Sequence, residues 1–137
     1  MAFQQPVTVP GVTYIQFLRA ATRTKLPPLE FYNFLLEKAK ILKIPPEFLA
    51  RELNLNFSGG EKKKMELFQA LVLAPQVAIL DEPDSGVDAA NLRLLVKAIK
   101  MLLENATGVL LITHSESLIK KLRPAKIYRL RKGQSLC

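Results

Sequence analysis

Val77-Ala78-Ile79-Leu80-Asp81-Glu82, followed at once by Asp84-Ser85-Gly86-Val87-Asp88, is the stretch on which the reading of this chain turns. The apolar run is bounded by Pro75 and by acids, too short for a helix and suited to a strand covered on both faces. In open α/β sheets, ligands collect beyond the carboxyl ends of the strands. An aspartate at that place can hold a magnesium ion, which prefers oxygen ligands and keeps part of its water shell. The adjacent glutamate can orient and deprotonate an attacking water. A pair of strand-terminal acids facing solvent is the competing reading, and this stretch alone does not separate the two.

Downstream, Asp88 is placed to cap a helix through Leu103, with Leu92, Leu95, Val96, Ile99 and Leu102 on its inner face. Val109 to Thr113 reads as a second all-apolar strand, Ser115 to Leu122 as a helix, and Lys126 to Arg131 as an alternating, partly exposed strand before a turn at Lys132-Gly133. Strands alternating with helices indicate a parallel α/β sheet. Upstream, Ser58 can cap a helix that begins near Gly59 and runs through Met65, Phe68 and Leu71 to about Leu73. Before Ser58 the pattern is helical. Residues 13–26 and Leu29 to Ile44 carry apolar residues at helical spacing, Pro27-Pro28 and Pro45-Pro46 punctuate them, and Glu47 to Glu52 reads as a short helix. The expected division is a helical part over 1–57 and an α/β part over 58–137.

Bulk composition narrows the class. The chain has 137 residues, 49% of them hydrophobic, which suits one globular domain and argues against disorder. Its longest apolar stretch, Ala70 to Leu80, is interrupted by Pro75 and Gln76 and is too short to span a bilayer, so no direct membrane insertion is expected. The first residues show no basic and apolar signal pattern, and the single cysteine, Cys137, suits a reducing compartment; the expected location is the cytoplasm. Net charge is +8 but unevenly spread: Asp81, Glu82, Asp84 and Asp88 cluster, while Lys120 to Lys132 holds basic residues and no acid. Aromatic residues do not interleave with those cations beyond Tyr128, so nucleic acid is not expected as a partner.

Two further groups carry chemistry. Ser58-Gly59-Gly60-Glu61 opens a helix, whose free N–H groups and dipole make an anion site that paired glycines leave open to a phosphate. The same four residues also satisfy an ordinary capping box, and both roles can hold together. Lys62-Lys63-Lys64 adds positive potential or simply forms a solvated helix face. His114, the only histidine, follows the second apolar strand. A structural role is one reading; contact with a terminal phosphate or an attacking water is the other.

In this order, the motifs resemble the ABC ATPase family. Gln4 matches its Q-loop, Ser58-Gly59-Gly60-Glu61 its signature, Val77 through Glu82 its Walker B strand, Asp84 through Asp88 its D-loop and His114 its switch histidine. Within that family the chain is similar to the Suf-type ATPases of iron–sulfur cluster assembly. That similarity rests on Phe3-Gln4-Gln5-Pro6 with Pro10-Gly11-Val12, on Phe57 through Lys64, and on Asp84-Ser85-Gly86-Val87-Asp88. The resemblance implies a partial P-loop NTPase fold, a helical subdomain followed by part of a parallel sheet flanked by helices.

For the site, it implies Glu82 and His114 as catalytic groups and Asp81 with Gln4 at magnesium. Gln4, Ser58, Gly59, Gly60 and Glu61 would face ATP phosphate, the signature doing so for a partner chain, and Asp84 and Asp88 would belong to the D-loop. ATP and magnesium would bind only in a complete dimeric site. A second ATPase subunit and a Suf-type scaffold protein, docking on the helical region, are the implied partners.

The 137 residues contain no glycine-rich phosphate loop ending in Lys-Ser or Lys-Thr. The resemblance places that loop before residue 1, so this chain alone is expected to be inactive. It also leaves the strand Val109–Thr113 with an open apolar edge. Two other readings remain: a non-enzymatic module docking on a scaffold through residues 13–52, and a piece of a membrane transporter's ATPase subunit.

Overall fold

In the computed structural model, which describes residues 8–131 and 134–136, the chain order is β1 (Val9–Thr13), α1 (Tyr14–Thr22), α2 (Pro28–Ile41), a 3₁₀ turn (Pro46–Ala50), β2 (Glu52–Leu53), α3 (Gly59–Leu73), β3 (Val77–Asp81), α4 (Ala89–Glu104), β4 (Gly108–Ile112), α5 (Glu116–Leu122), β5 (Arg129–Arg131) and β6 (Gln134–Leu136). Gln4, Cys137 and the turn at Lys132-Gly133 lie outside the described residues.

Thr13 and Gln16 form a capping box that starts α1. The helix stops at Thr22 rather than near residue 26, because Arg23 turns left-handed at φ 49° and donates its backbone N–H to Ala20. Pro28 opens α2, where a missing N–H costs nothing, and a left-handed Lys43 follows its end. The short helix expected over Glu47 to Glu52 is a 3₁₀ helix that ends at Ala50 and is followed by a strand. Prolines 45 and 46 provide no donors, the turn tightens, and Glu52–Leu53 pairs antiparallel with β1. The first part of the chain is therefore not purely helical. Pro10 and a left-handed Gly11 break the regular alternation that would have marked β1.

Tyr14, Phe48 and Phe57 meet edge to face, with centroids 5.6 and 5.0 Å apart, and the Arg51 guanidinium lies over both phenylalanines. This cluster fixes the loop that leads into α3. Helix α3 is the central element: α1, α2 and α4 all pack on it. Its Met65, Phe68, Leu71 and Val72 are buried, and the core runs unbroken from Tyr14 to Leu118.

Strands β3 and β4 pair in parallel, Val77 with Gly108 through Asp81 with Ile112. Neither is covered on both faces, contrary to the expectation from their apolar sequences. Ala78 and Leu80 are buried on the helical side, whereas Val77, Leu110 and Ile112 on the opposite face are 64%, 53% and 49% exposed. Among the described residues the sheet has two strands and helices on one side only, so alternate residues stay in solvent. The last strand is shorter than expected, β5 starting at Arg129 and pairing with β6.

Candidate functional site

The carboxyl ends of β3 and β4 bring together four residues singled out from the sequence. Asp81 ends β3 and pairs in register with Ile112. Glu82 follows, its backbone N–H donating to the Ile112 carbonyl at 2.9 Å. His114 stands two residues past β4, its Nδ1 3.5 Å from Glu82 Oε1. Asp84 accepts a 2.8 Å hydrogen bond from the Thr113 hydroxyl, which also accepts from the backbone N–H of Ser115. The site is open: the His114 and Glu82 side chains are 78% and 46% exposed.

Glu82 sits at φ 42°, in the left-handed region that costs a non-glycine residue about 1–2 kcal/mol. Its neighbours hold it there. The Glu82 carbonyl accepts from Ser85 N–H at 3.1 Å, and Lys63 Nζ donates to the carbonyls of Glu82 at 3.1 Å and Ser85 at 2.6 Å. Gly86, at φ 70°, takes the next left-handed position, where a side chain would add strain. Asp88 then caps α4, accepting from Asn91 N–H at 2.8 Å. Those hydrogen bonds hold its carboxyl below the usual carboxylate range.

The Ser58–Glu61 turn lies at the other side of this loop. Ser58 and Glu61 form a complete capping box: Glu61 N–H donates to Ser58 Oγ at 3.3 Å, and Ser58 N–H to Glu61 Oε2 at 2.8 Å. The backbone N–H of Ser58, followed by its hydroxyl, stabilises the Glu61 carboxylate and lowers its pKa. Gly59 and Gly60 are exposed, and a Cβ at either would meet no further atom of the described residues within 4 Å. Gly60, Lys63, Pro83, Gly86 and Asp88 border a shared hollow of about 110 Å³, so the start of α3 and the loop after β3 face the same space.

Lys63 and Thr113 were not anticipated. Lys63 is one of three consecutive lysines, and the run reads as a wet surface. Its signal is the row Lys63, Leu67, Ala70 at i, i+4, i+7, in which Leu67 is buried. That row turns Lys63 toward the protein. Thr113 is the last residue of an apolar stretch, and nothing local announces its partner. Gln4 is outside the described residues, so its place relative to this site is not described.

Among the described residues no three acidic, histidine or cysteine side chains converge as a metal cage. Magnesium needs none, since one or two carboxylates and substrate phosphates hold it with retained waters. The half-buried Asp81 carboxylate at the strand end has the hard oxygen chemistry for that role.

A family model described as ABC transporter matches residues 1–85. A probable ATP-dependent transporter, ycf16, of Cyanophora paradoxa is 40% identical over 144 residues, covering 99% of this chain and 56% of its own. The probable ATP-dependent transporter SufC of Escherichia coli is 34% identical over 142 residues, covering 98% and 57%. The chain thus spans about half the length of these curated relatives. A bacterial ABC transporter cassette solved as a dimer superposes with a TM-score of 0.70 at 20% identity, over 87% of this chain and 53% of its own.

Proposed function

The chain belongs to the ABC transporter family, and on that premise we propose that it forms the Walker B, signature and switch-histidine part of a Suf-type ATPase, acting in iron–sulfur cluster assembly. Residues 58–137 carry the ATPase chemistry in this reading. Residues 1–57 are the part that contains helices α1 and α2, with 13–52 as the face for a scaffold protein. The observation that carries it is the grouping of Asp81, Glu82 and His114 at the carboxyl ends of two parallel strands.

Glu82 is the general base: its carboxylate takes a proton from the attacking water, and His114, at 3.5 Å, orients that carboxylate and contacts the terminal phosphate. Asp81 would hold magnesium, which, when bound with ATP, would supply positive charge to its phosphates. Gln4 is the second candidate ligand. Ser58, Gly59 and Gly60 serve a partner's nucleotide. Two glycines in a first helical turn weaken that helix, and none of the described residues crowds them. An external phosphate, approaching the exposed N–H groups, accounts for them. Glu61 shapes the turn through its capping contact, and Asp84 with Asp88 stiffens the D-loop. No helix among the described residues is long and apolar enough to cross a membrane.

The 137-residue chain by itself should release no phosphate from ATP, since it contains no phosphate loop. The deciding experiment joins it to the part of the Escherichia coli relative outside the aligned region and measures magnesium-dependent phosphate release. Activity should appear, and Glu82→Gln should lower it by about 10²–10⁴-fold while sparing ATP binding. Unimpaired turnover in that variant would remove Glu82 from the chemistry and sink the reading.

A further inference from the structure

Two loops meet beyond the strand ends, one after β3 and one after β4, and the His114 imidazole reaches from the second to Glu82 on the first. That contact is poorly suited to place either group. It is 3.5 Å long and open to solvent, where an ion pair contributes little and water competes for both partners. The position of the imidazole must therefore come from the backbone that carries it.

One hydroxyl ties that backbone down on both sides. Thr113 Oγ1 accepts from Ser115 N–H at 3.0 Å, which closes a turn across His114, and donates to Asp84 Oδ1 at 2.8 Å. Ser115 is fixed in turn as the cap of α5, its Oγ accepting from Leu118 N–H at 3.3 Å. On the other loop the Asp84 carbonyl accepts from Val87 N–H at 3.1 Å, so the carboxylate sits on a closed turn. The two loops are thus joined by a backbone rung, Glu82 N–H to the Ile112 carbonyl, and by a side-chain rung, Thr113 to Asp84. The second rung is short, half-buried and made to a carboxylate, which makes it the stronger kind of hydrogen bond. A hydroxyl can donate and accept at once; valine, of the same shape, can do neither.

We propose that Thr113 is a positioning residue. Its hydroxyl fixes the turn that carries His114 to the loop that carries Glu82, and so sets the imidazole against that carboxylate. This role rests on the functional reading above for its chemistry, whereas the placement itself can be read without ATP. A purely local role, in which Thr113 only anchors the start of α5, is the competing account. Asp84→Ala separates the two, because it removes the bond between loops and leaves the turn from Thr113 to Ser115 intact.

His114 is the only histidine, so its imidazole gives a single set of signals in the magnetic resonance spectrum of the 137-residue chain. At one fixed pH, Glu82→Gln should shift those signals in the parent. Most of that response should be lost in Thr113→Val and equally in Asp84→Ala, and Thr113→Ser should restore it. Asp84→Ala carries the same test where valine perturbs the circular dichroism. In the joined ATPase, Thr113→Val should lower kcat by about 10- to 100-fold with KM for ATP little changed. The double variant with Asp84→Ala should be no slower than the slower single one, because both act through one bond. An undiminished response to Glu82→Gln in both Thr113→Val and Asp84→Ala would overturn the proposal. So would a loss confined to Thr113→Val, which would leave the residue as an anchor of α5. A lost response with unimpaired turnover would uphold the placement and refute the catalytic reading of His114.

Discussion

Lys63 holds the loop on which Glu82 sits. Its ammonium bridges two carbonyls of the turn after β3, and that turn includes a left-handed glutamate that local sterics disfavour. Replacing it by methionine keeps most of the apolar stem but removes both charged hydrogen bonds. Lys63→Met should therefore lower stability by roughly 1–2 kcal/mol in urea unfolding and speed amide exchange at Ser85 and Val87. A variant as stable as the parent, with unchanged exchange, would show that the turn supports itself.

Glu66, one turn further along α3, behaves oppositely to Asp88 and Glu61. Burial raises its pKa above the ordinary 4.5, with Lys63 opposing the shift. A raised carboxylate pKa means that the folded state binds the proton more tightly than the unfolded one. Stability from this group is thus fullest below pH 4.5 and declines as pH rises through the raised value. Glu66→Gln should melt higher than the parent at pH 7, and the difference should vanish in acid. A constant difference across pH would point to packing instead of titration.

At the scale of elements, α3 joins two demands. Its far end is an ordinary core helix, with Met65, Phe68 and Leu71 buried, while its first turn contains two glycines with open space around them. Gly60→Ala should stabilise the chain by about 0.5–1 kcal/mol, because alanine is the better helix former and none of the described residues obstructs its Cβ. In the joined ATPase the same change should weaken ATP-induced dimerisation, which size-exclusion chromatography reads. Stability gained without any loss of dimerisation would leave Gly60 as a helix start only.

Legibility from the sequence follows the range of the forces involved. Ser58 with Glu61, and Asp88 with Asn91, act across three residues, so the starts of α3 and α4 could be read directly. The Asp81–Glu82 and His114 positions were legible because each ends an apolar run. What escaped depends on distant pairing: β1 with β2, Lys63 with the turn 19 residues on, Thr113 with Asp84, and the exposure of one sheet face, which depends on layers above the strand.

Across the whole molecule, the expected division at residue 57 meets a core that does not divide there. Tyr14, Leu18, Phe31 and Leu35 from the first part lie in one buried cluster with Met65, Phe68, Ile99 and Leu102 from the second. Helix α3 contacts α1, α2 and α4, so removing it would open the interior on three sides. A helical part with its own core would unfold separately; a shared core couples the two. The absence of tryptophan makes the coupling easy to follow, because near-ultraviolet circular dichroism then reports tyrosine and phenylalanine packing, led by the buried cluster of Tyr14, Phe48 and Phe57. That signal belongs to the first part and its junction, whereas helical far-ultraviolet signal comes from both. In urea the two should disappear in one coincident transition. Separate midpoints, with the aromatic signal surviving after loss of part of the helical signal or the reverse, would mean that residues 1–57 and 58–137 fold as independent units despite the contacts between them.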